Sequence, residues 1–182
     1  MKEPIILIGP IGSGKSTIAE ILAKKLSLPW YSLDAEAEKY AKPLGYKIRR
    51  WHALKGKDLF RAYAYRRNFY DDMVVQFLAA HTEGILDFGG GHPIVPDPQK
   101  QQTITKALRP YANTFLLMPT PDTEESLAIL RKRNKLSDGE ADLNTLYFKN
   151  GNRTFWDIAK HVVYTEGKTP EETCEEVISK IV

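Results

Sequence analysis

A glycine-rich loop near the amino terminus holds the residues whose chemistry is easiest to recognise. Residues 9–17 match the pattern G-x-x-x-x-G-K-[ST], with an apolar run before them and a helical pattern after them. Glycines let consecutive backbone amides turn toward an anion, and the following helix adds unpaired amides and the positive end of its dipole. The pattern predicts a site for the phosphates of a nucleoside triphosphate, and the candidate binding residues are Gly12, Ser13, Gly14, Lys15, Ser16 and Thr17.

Two side chains at the end of this loop are suited to phosphoryl transfer. Lys15 can place a compact positive charge against the β- and γ-phosphates, so it is also a candidate catalytic residue. The hydroxyl of Ser16 is a candidate ligand for Mg²⁺. We therefore expect ATP and Mg²⁺ as the cofactors.

Alternating strand and helix patterns must position this loop. Residues 5–8 form a continuous apolar run, as expected for a central strand buried on both faces. The alternation implies βαβ crossovers, so we predict an α/β chain with the P-loop NTPase fold: a five-stranded parallel sheet with helices on both faces and a mobile lid. The other predicted strands are 30–32, 85–88, 114–117 and 161–164, and the predicted helices are 15–26, one from about 35, 58–80, 99–108, 122–135 and one from 169.

The predicted strand ends locate the functional crevice. Ligands of such sheets bind beyond the carboxyl ends of the strands. Gly9, Ser32 and Gly89 all lie at such ends, so we expect them to converge. Residues 136–144 are polar and include Ser-Asp-Gly, which predicts a mobile surface loop.

Length and composition limit the classes of function. The 182 residues suit one domain over 1–182, and their net charge of +3 is too mild to predict nucleic-acid binding but suits an acidic small molecule. No apolar stretch is long enough to predict a membrane span, and the four histidines lack zinc-site spacing. The single cysteine, Cys174, cannot form an internal disulfide, so we expect a cytoplasmic protein. We also expect a monomer or a weak homodimer.

The phosphate loop is shared by GTPase switches, motor ATPases and small-molecule kinases. Small GTPases need D-x-x-G followed by a guanine-reading N-K-x-D. Residues 87–90 fit the first pattern, but residues 134–137 read Asn-Lys-Leu-Ser and fail the second at its last position. The chain is also short for a motor or a helicase. These features favour a small-molecule kinase.

The order of the remaining motifs resembles that of the shikimate kinase family over nearly the whole chain. After the phosphate loop come an aspartate, a helix arginine, three glycines, a lid and a second arginine; the named residues are Asp34, Arg61, Gly89, Gly90, Gly91 and Arg153. The resemblance implies transfer of the γ-phosphoryl of MgATP to a hydroxyl of a small anionic acceptor, with shikimate as the leading candidate. It also implies an acceptor-binding helical segment at about 35–80, a lid at about 131–152 and an adenine loop at 165–170.

The resemblance also assigns roles on the acceptor side. Asp34 would contact the acceptor hydroxyl, and its carboxylate could orient that hydroxyl and take its proton; capping a helix that begins at Ala35 is a compatible alternative. Arg61 and Arg153 would bind the acceptor carboxylate bidentately, the alternative being arginines on a solvated surface. The glycines 89–91 would let the backbone approach the acceptor without a Cβ in the way.

One departure from the family pattern concerns magnesium. The family has two aspartates at its second strand, and the first of them is Ser32 here. Asp87 ends an apolar strand in a Walker-B arrangement beside the phosphate loop. We hypothesise that Asp87 supplies the outer-shell magnesium contact that Ser32 cannot, the alternative being an aspartate that caps the strand end.

Further departures concern the acceptor and the lid. The glutamate expected three residues after the helix arginine is Ala64, and the lid lacks an Arg-Pro-Leu signature. Arg131, Arg133 and Lys135 are therefore candidates to reach the γ-phosphate, or else form a solvated helix end. These departures leave the residues predicted to bind the nucleotide unchanged, and they weaken the resemblance at the residues predicted to bind the acceptor. The alternatives are a kinase for another polyol, cyclitol, sugar acid or nucleotide, and a regulatory protein that binds a nucleotide without transferring its phosphate.

Overall fold

Five parallel strands form one sheet, as the sequence predicts. The computed structural model describes residues 3–133 and 137–182. The strand order is β2-β3-β1-β4-β5, and each neighbouring pair is parallel. The strands are β1 (Ile5–Ile8), β2 (Trp30–Ser32), β3 (Ile85–Asp87), β4 (Thr114–Met118) and β5 (His161–Tyr164).

Helices cover both faces of this sheet. Side chains of β1 alternate between two apolar clusters, with Ile6 and Ile8 in the larger one and Ile5 and Leu7 in the smaller one, because successive residues of a strand point to opposite faces. None of the described helices is long and apolar enough to cross a bilayer. They are α1 (Lys15–Leu26), α2 (Leu33–Ala41), α3 (Ile48–Lys55), α4 (Leu59–Arg67), α5 (Tyr70–Ala80), α6 (Pro98–Leu108), α7 (Thr123–Arg133), α8 (Asp138–Tyr147), α9 (Thr154–Ile158) and α10 (Pro170–Ser179), with 3₁₀ turns at Lys42–Leu44 and Lys149–Gly151.

The long helix predicted over 58–80 is two helices. α4 ends at Arg67, with Asn68 as its C-cap, and α5 begins at Tyr70. Lys100 Nζ donates a hydrogen bond to the Asn68 carbonyl at 2.8 Å and so satisfies an acceptor at the break. The apolar stripe continues across the break, which is why periodicity alone does not reveal it. The break separates α4, which packs against α3 and α8, from α5, which packs against α2 and α6.

The loop predicted over 136–144 is a helix for most of its length. Ser137 and Glu140 form a capping box at the start of α8. The inner side of this helix buries Leu143, Asn144 and Tyr147. These residues share one face because they recur at helical spacing within a polar stretch. Residue 136 lies outside the described part of the chain.

Candidate active site

The phosphate loop has the conformation that its glycines allow. Gly12 and Gly14 adopt φ angles of 81° and 91°, which residues with a Cβ rarely adopt. α1 begins directly after Gly14, so its free amides lie at the loop. Lys15 is buried, and its Nζ donates a hydrogen bond to the Pro10 carbonyl at 2.8 Å. Burial lowers the pKa of Lys15, while the charges of Asp87 and Asp34 oppose that shift.

A cavity of about 310 Å³ adjoins this loop. Its lining combines residues Gly12 to Gly14 with Arg133 and with Thr165 and Lys168 of the segment that resembles an adenine loop. Arg133 Nη1 donates to Thr165 Oγ1 at 3.0 Å, and the same guanidinium pairs with Glu166. The structure therefore places Arg133 beside the phosphate loop.

The other two lid candidates are not placed there. Arg131 donates a hydrogen bond to Asp138 Oδ1 at 3.1 Å, and it does not line the cavity beside the phosphate loop. Lys135 lies outside the described residues.

A hydroxyl and a carboxylate meet at the start of α1. Ser16 Oγ donates a hydrogen bond to Asp87 Oδ2 at 2.6 Å. Asp87 is buried, and its Cα is the register partner of Ser32 on the neighbouring strand. Burial raises the pKa of Asp87, while the Lys15 charge and the Ser16 hydrogen bond oppose that shift.

This pair has the composition of a magnesium site that is completed by phosphates. Mg²⁺ is usually held by one or two protein oxygens together with substrate phosphates and water. Among the described residues, no group of three or more His, Cys, Asp or Glu side chains could hold a metal by itself. The oxygens of Ser16 and Asp87 therefore fit the ion only as partners of a bound nucleotide.

Asp34 lies in the first turn of α2 and is not its cap. The N-cap is Ser32, whose Oγ accepts from the Ala35 N–H at 3.5 Å. This leaves the Asp34 carboxylate to accept a hydrogen bond from Arg66 Nη2 at 2.8 Å. Burial alone would raise the pKa of Asp34, but His92 and Arg66 outweigh it, so the pKa is lowered overall. The carboxylate is half exposed and ionised at neutral pH.

His92 is a buried neighbour of this carboxylate. Its Nδ1 accepts a hydrogen bond from the Gly89 N–H at 2.9 Å, so in the neutral ring Nε2 carries the proton. Nε2 faces Asp34 Oδ1 at 3.7 Å. Burial lowers the pKa of His92 to about 3. At neutral pH, Arg66 is therefore the cation beside Asp34, and His92 is a neutral, oriented ring.

The three glycines each approach a different wall of the site. A Cβ on Gly89 would collide with the Asp34 carboxylate, and one on Gly90 would lie 2.6 Å from the Ile11 backbone nitrogen. A Cβ on Gly91 would lie 2.5 Å from Tyr147 Oη. This turn therefore packs Asp34 of α2, the phosphate loop and α8 against one another. The expected convergence of the strand ends is present.

The two arginines expected to bind the acceptor carboxylate are both exposed. The side chain of Arg61 is 80% exposed and lies 3.3 Å from Asp58. Arg153 is exposed, and its guanidinium lies 4.7 Å from the centre of the Trp156 ring. Both positions match the solvated alternative.

Other arginines of α4 face inward instead. Arg66 is 8% exposed and lies over the Trp51 ring, and the Arg67 guanidinium lies 5.4 Å from the centre of the Tyr147 ring. Arg66 is five positions after Arg61, which places it about 140° around the helix. The sequence did not lead us to assign a role to Arg66, Arg67 or His92. The available sequence signal was the pair Arg66 and Arg67, which lies on a different face of the helix from Arg61. This signal is informative only when it is known which face of α4 points inward.

A further residue missed from the sequence joins α8 to the phosphate loop. Asn144 is 1% exposed. Its Oδ1 accepts from the Ile11 N–H at 2.8 Å, and its Nδ2 donates to the Ile11 carbonyl at 2.9 Å. Both polar atoms of one side chain are therefore committed to one residue of the loop.

Comparisons with known proteins identify the family and the fold. The family model for shikimate kinase matches residues 11–182. The shikimate kinase of Pseudoalteromonas atlantica is 30% identical over 183 residues, and that of Alteromonas mediterranea is 28% identical over 182; each alignment covers 99% of this chain and 97% of the relative. The solved structure of shikimate kinase from Acinetobacter baumannii in complex with shikimate has a TM-score of 0.67 at 18% identity, covering 98% of this chain and 92% of that one, which shows the shared fold. The chain belongs to the shikimate kinase family, whose members are phosphotransferases that act on a hydroxyl group.

Proposed function

We propose that this protein transfers the γ-phosphoryl of MgATP to a hydroxyl of a small carboxylate-bearing acceptor, with shikimate as the first acceptor to test. One observation carries the proposal. An ionised carboxylate, Asp34, is held by Arg66 at 2.8 Å in the crevice that the triple glycine connects to the phosphate loop. Phosphoryl transfer needs this pairing of a phosphate cradle with a group that positions the acceptor hydroxyl.

The nucleotide would occupy the loop and the cavity beside it. Amides at Gly12 to Gly14 would bind phosphate oxygens, and Lys15 would exchange its bond to Pro10 for the β- and γ-phosphates. Arg133 and residues 165–170 would border the base or ribose. In this assignment Arg133 contacts the nucleotide, and Arg131 acts through its ion pair with Asp138 at the start of α8.

Magnesium would be held by Ser16 and, in the outer shell, by Asp87. When bound, the ion supplies positive charge that neutralises the transferring phosphoryl group. Burial raises the pKa of Asp87, so this buried carboxylate has much to gain from a neighbouring cation.

Asp34 would orient the acceptor hydroxyl by accepting its hydrogen bond. The lowered pKa of Asp34 makes its carboxylate a weak base. Because the transition state of phosphoryl transfer is loose, the acceptor hydroxyl loses its proton only late in the reaction. Positioning is therefore the larger part of its role. Arg66 holds one carboxylate oxygen, which leaves the other for the acceptor.

The identity of the acceptor rests on family membership. The Acinetobacter baumannii relative was solved with shikimate, which supports testing shikimate first. The outward positions of Arg61 and Arg153 favour a second candidate, a different hydroxy acid. Both candidates share the same chemistry: a hydroxyl for Asp34 and a carboxylate for a cationic wall.

The test is acceptor-dependent release of ADP from MgATP. We expect the wild type to turn over with shikimate or another hydroxy acid from a panel of polyols, cyclitols and sugar acids. Asp34→Asn should lower kcat about 100-fold or more, since positioned acid–base groups contribute factors of this size. Asp72→Asn is the matched control, because Asp72 is an exposed aspartate on α5.

Two outcomes would contradict the proposal. Tight ATP binding without acceptor-stimulated turnover on any panel member would favour a regulatory nucleotide-binding protein. Full turnover by Asp34→Asn would remove Asp34 from the mechanism.

A further inference from the structure

Two polar side chains beside the triple glycine leave hydrogen-bonding capacity unused in the described part of the protein. Arg67 Nε and Nη2 are buried without an acceptor, and the Tyr147 hydroxyl has no hydrogen-bonding neighbour other than the Arg67 guanidinium. Among the described residues, no acidic side chain forms an ion pair with Arg67 either. Buried donors of this kind are rarely left unsatisfied in folded proteins. A ligand that accepts hydrogen bonds is the simplest explanation.

A cavity of about 450 Å³ opens beside these two side chains. Arg67 and Lys149 give it positive charge, and Ile94, Val95 and Leu146 give it apolar wall. No acidic side chain lines it among the residues that the structure describes. Two cations and an apolar wall suit a small molecule with an anionic group on a carbon ring or chain.

This cavity is close to the proposed site of phosphoryl transfer. Tyr147 Oη packs on Gly91 and Asp34 packs on Gly89, and two residues of chain span at most about 7 Å. Arg66 and Arg67 are consecutive, and the first binds Asp34 while the second lies over Tyr147. One small acceptor could therefore place a hydroxyl at Asp34 and an anionic group at Arg67.

We infer that Arg67, with the Tyr147 hydroxyl, binds the carboxylate of the acceptor, in place of Arg61 and Arg153. This inference rests on the proposed kinase function and names the residues that select its substrate class. Arg67 supplies paired N–H donors, which suit the two oxygens of a carboxylate. Burial raises the pKa of Tyr147, so its hydroxyl keeps its proton and can donate.

The test compares the best acceptor of the panel with its methyl ester, which has the same ring but no charge at that group. We expect the wild type to show at least a tenfold lower KM for the acid than for the ester. Arg67→Gln should raise the KM for the acid at least tenfold and remove this preference, with the KM for ATP unchanged. Tyr147→Phe keeps the ring beneath Arg67 and should reduce the preference several-fold. Arg49→Gln, an exposed arginine on α3, is the matched control.

If Arg67 had only a structural role, Arg67→Gln would leave the ratio of the KM for the ester to the KM for the acid unchanged. An unchanged ratio in Arg67→Gln, or a loss of preference in Arg61→Gln instead, overturns the inference while leaving the kinase function in place. If the wild type phosphorylates nothing, the proposed function fails, and calorimetry with shikimate tests the site alone. Weaker binding of shikimate by Arg67→Gln than by the wild type then supports the site. Equal binding of shikimate by the two proteins, or no binding by either, overturns it.

Discussion

Ser16 and Asp87 are joined by a hydrogen bond of 2.6 Å between the end of the phosphate loop and the end of β3. Asp87 is the register partner of Ser32 on the adjacent strand β2. Ser32 stands where the family resemblance leads us to expect an aspartate. The carboxylate that the resemblance leads us to expect is therefore absent at Ser32, and one is present on the next strand at the same level of the sheet.

This relationship predicts how magnesium dependence responds to substitution. Asp87→Asn should raise the Mg²⁺ concentration needed for half-maximal turnover by about tenfold or more, in line with the usual cost of losing an outer-shell partner. Adding Ser32→Asp to Asp87→Asn should bring the Mg²⁺ concentration for half-maximal turnover partly back to the wild-type value, because the two positions are neighbours. Aspartate at this position can also replace Ser32 as the cap of α2. Magnesium titrations of ADP release measure both effects. Full magnesium-dependent turnover by Asp87→Ala would end this interpretation.

The buried His92 predicts a loss of stability in acid. Its pKa is about 3 in the folded protein and about 6.5 in an unfolded chain. The unfolded state therefore binds more protons between these pH values, and stability falls as the pH is lowered from 6.5 toward 3. The slope from this group is at most about 1.4 kcal/mol per pH unit. Asp87, whose pKa is raised, opposes this trend over the range just above its ordinary value.

Denaturant unfolding at several pH values isolates the contribution of His92. His92→Asn places an acceptor near the position of Nδ1 for the Gly89 N–H and removes the titrating group. We expect the variant to lose less stability than the wild type between pH 6.5 and 4.5. His52→Asn is the control, because His52 is exposed. If the free energy of unfolding depends on pH in the same way in the wild type and in His92→Asn, the pKa of His92 is not lowered by folding and the prediction is wrong.

The tight approach of Gly90 to the phosphate loop predicts a defect in nucleotide binding. A Cβ at this position would lie 2.6 Å from the Ile11 nitrogen, and backbone cannot move aside as a flexible side chain can. Gly90→Ala should weaken ATP binding about tenfold or more by displacing the loop. Gly56→Ala is the matched control, since its Cβ would meet only ordinary contact at 3.5 Å. Calorimetric ATP titration measures this, and unaltered affinity in Gly90→Ala would contradict the prediction.

The contact between Asn144 and Ile11 predicts that α8 stabilises the phosphate loop. Asn144→Ala removes two hydrogen bonds, each worth about 1 kcal/mol net. The Ile11 amide should exchange with solvent about tenfold faster or more, and the KM for ATP should rise. Thr145→Ala is the control, because within the described ranges the Thr145 hydroxyl bonds only to the Ala141 carbonyl of its own helix. Equal exchange at Ile11 in the wild type and Asn144→Ala would exclude this role.

The conformation of the phosphate loop was predictable from sequence because its residues are close together in the chain. The loop, the turn into α1 and the strand that precedes it depend on local pattern, and Asp87 was identified from the apolar strand that it ends. The five strands and their parallel orientation follow from the alternation of strand and helix patterns, whereas their order in the sheet came from the structure. α8 was missed because its buried face is formed by few residues within a polar stretch.

The acceptor side was decided only by tertiary structure. Arg61, Arg66 and Arg67 are all arginines of one helix, and the sequence alone determined their presence but not which of them points inward. That choice depends on the break after Arg67 and on how α4 packs against its neighbours. The same holds for His92, Asn144 and Tyr147, whose partners are distant in sequence. A local pattern sets the conformation of its own backbone, whereas packing between remote segments sets the direction and charge environment of a side chain.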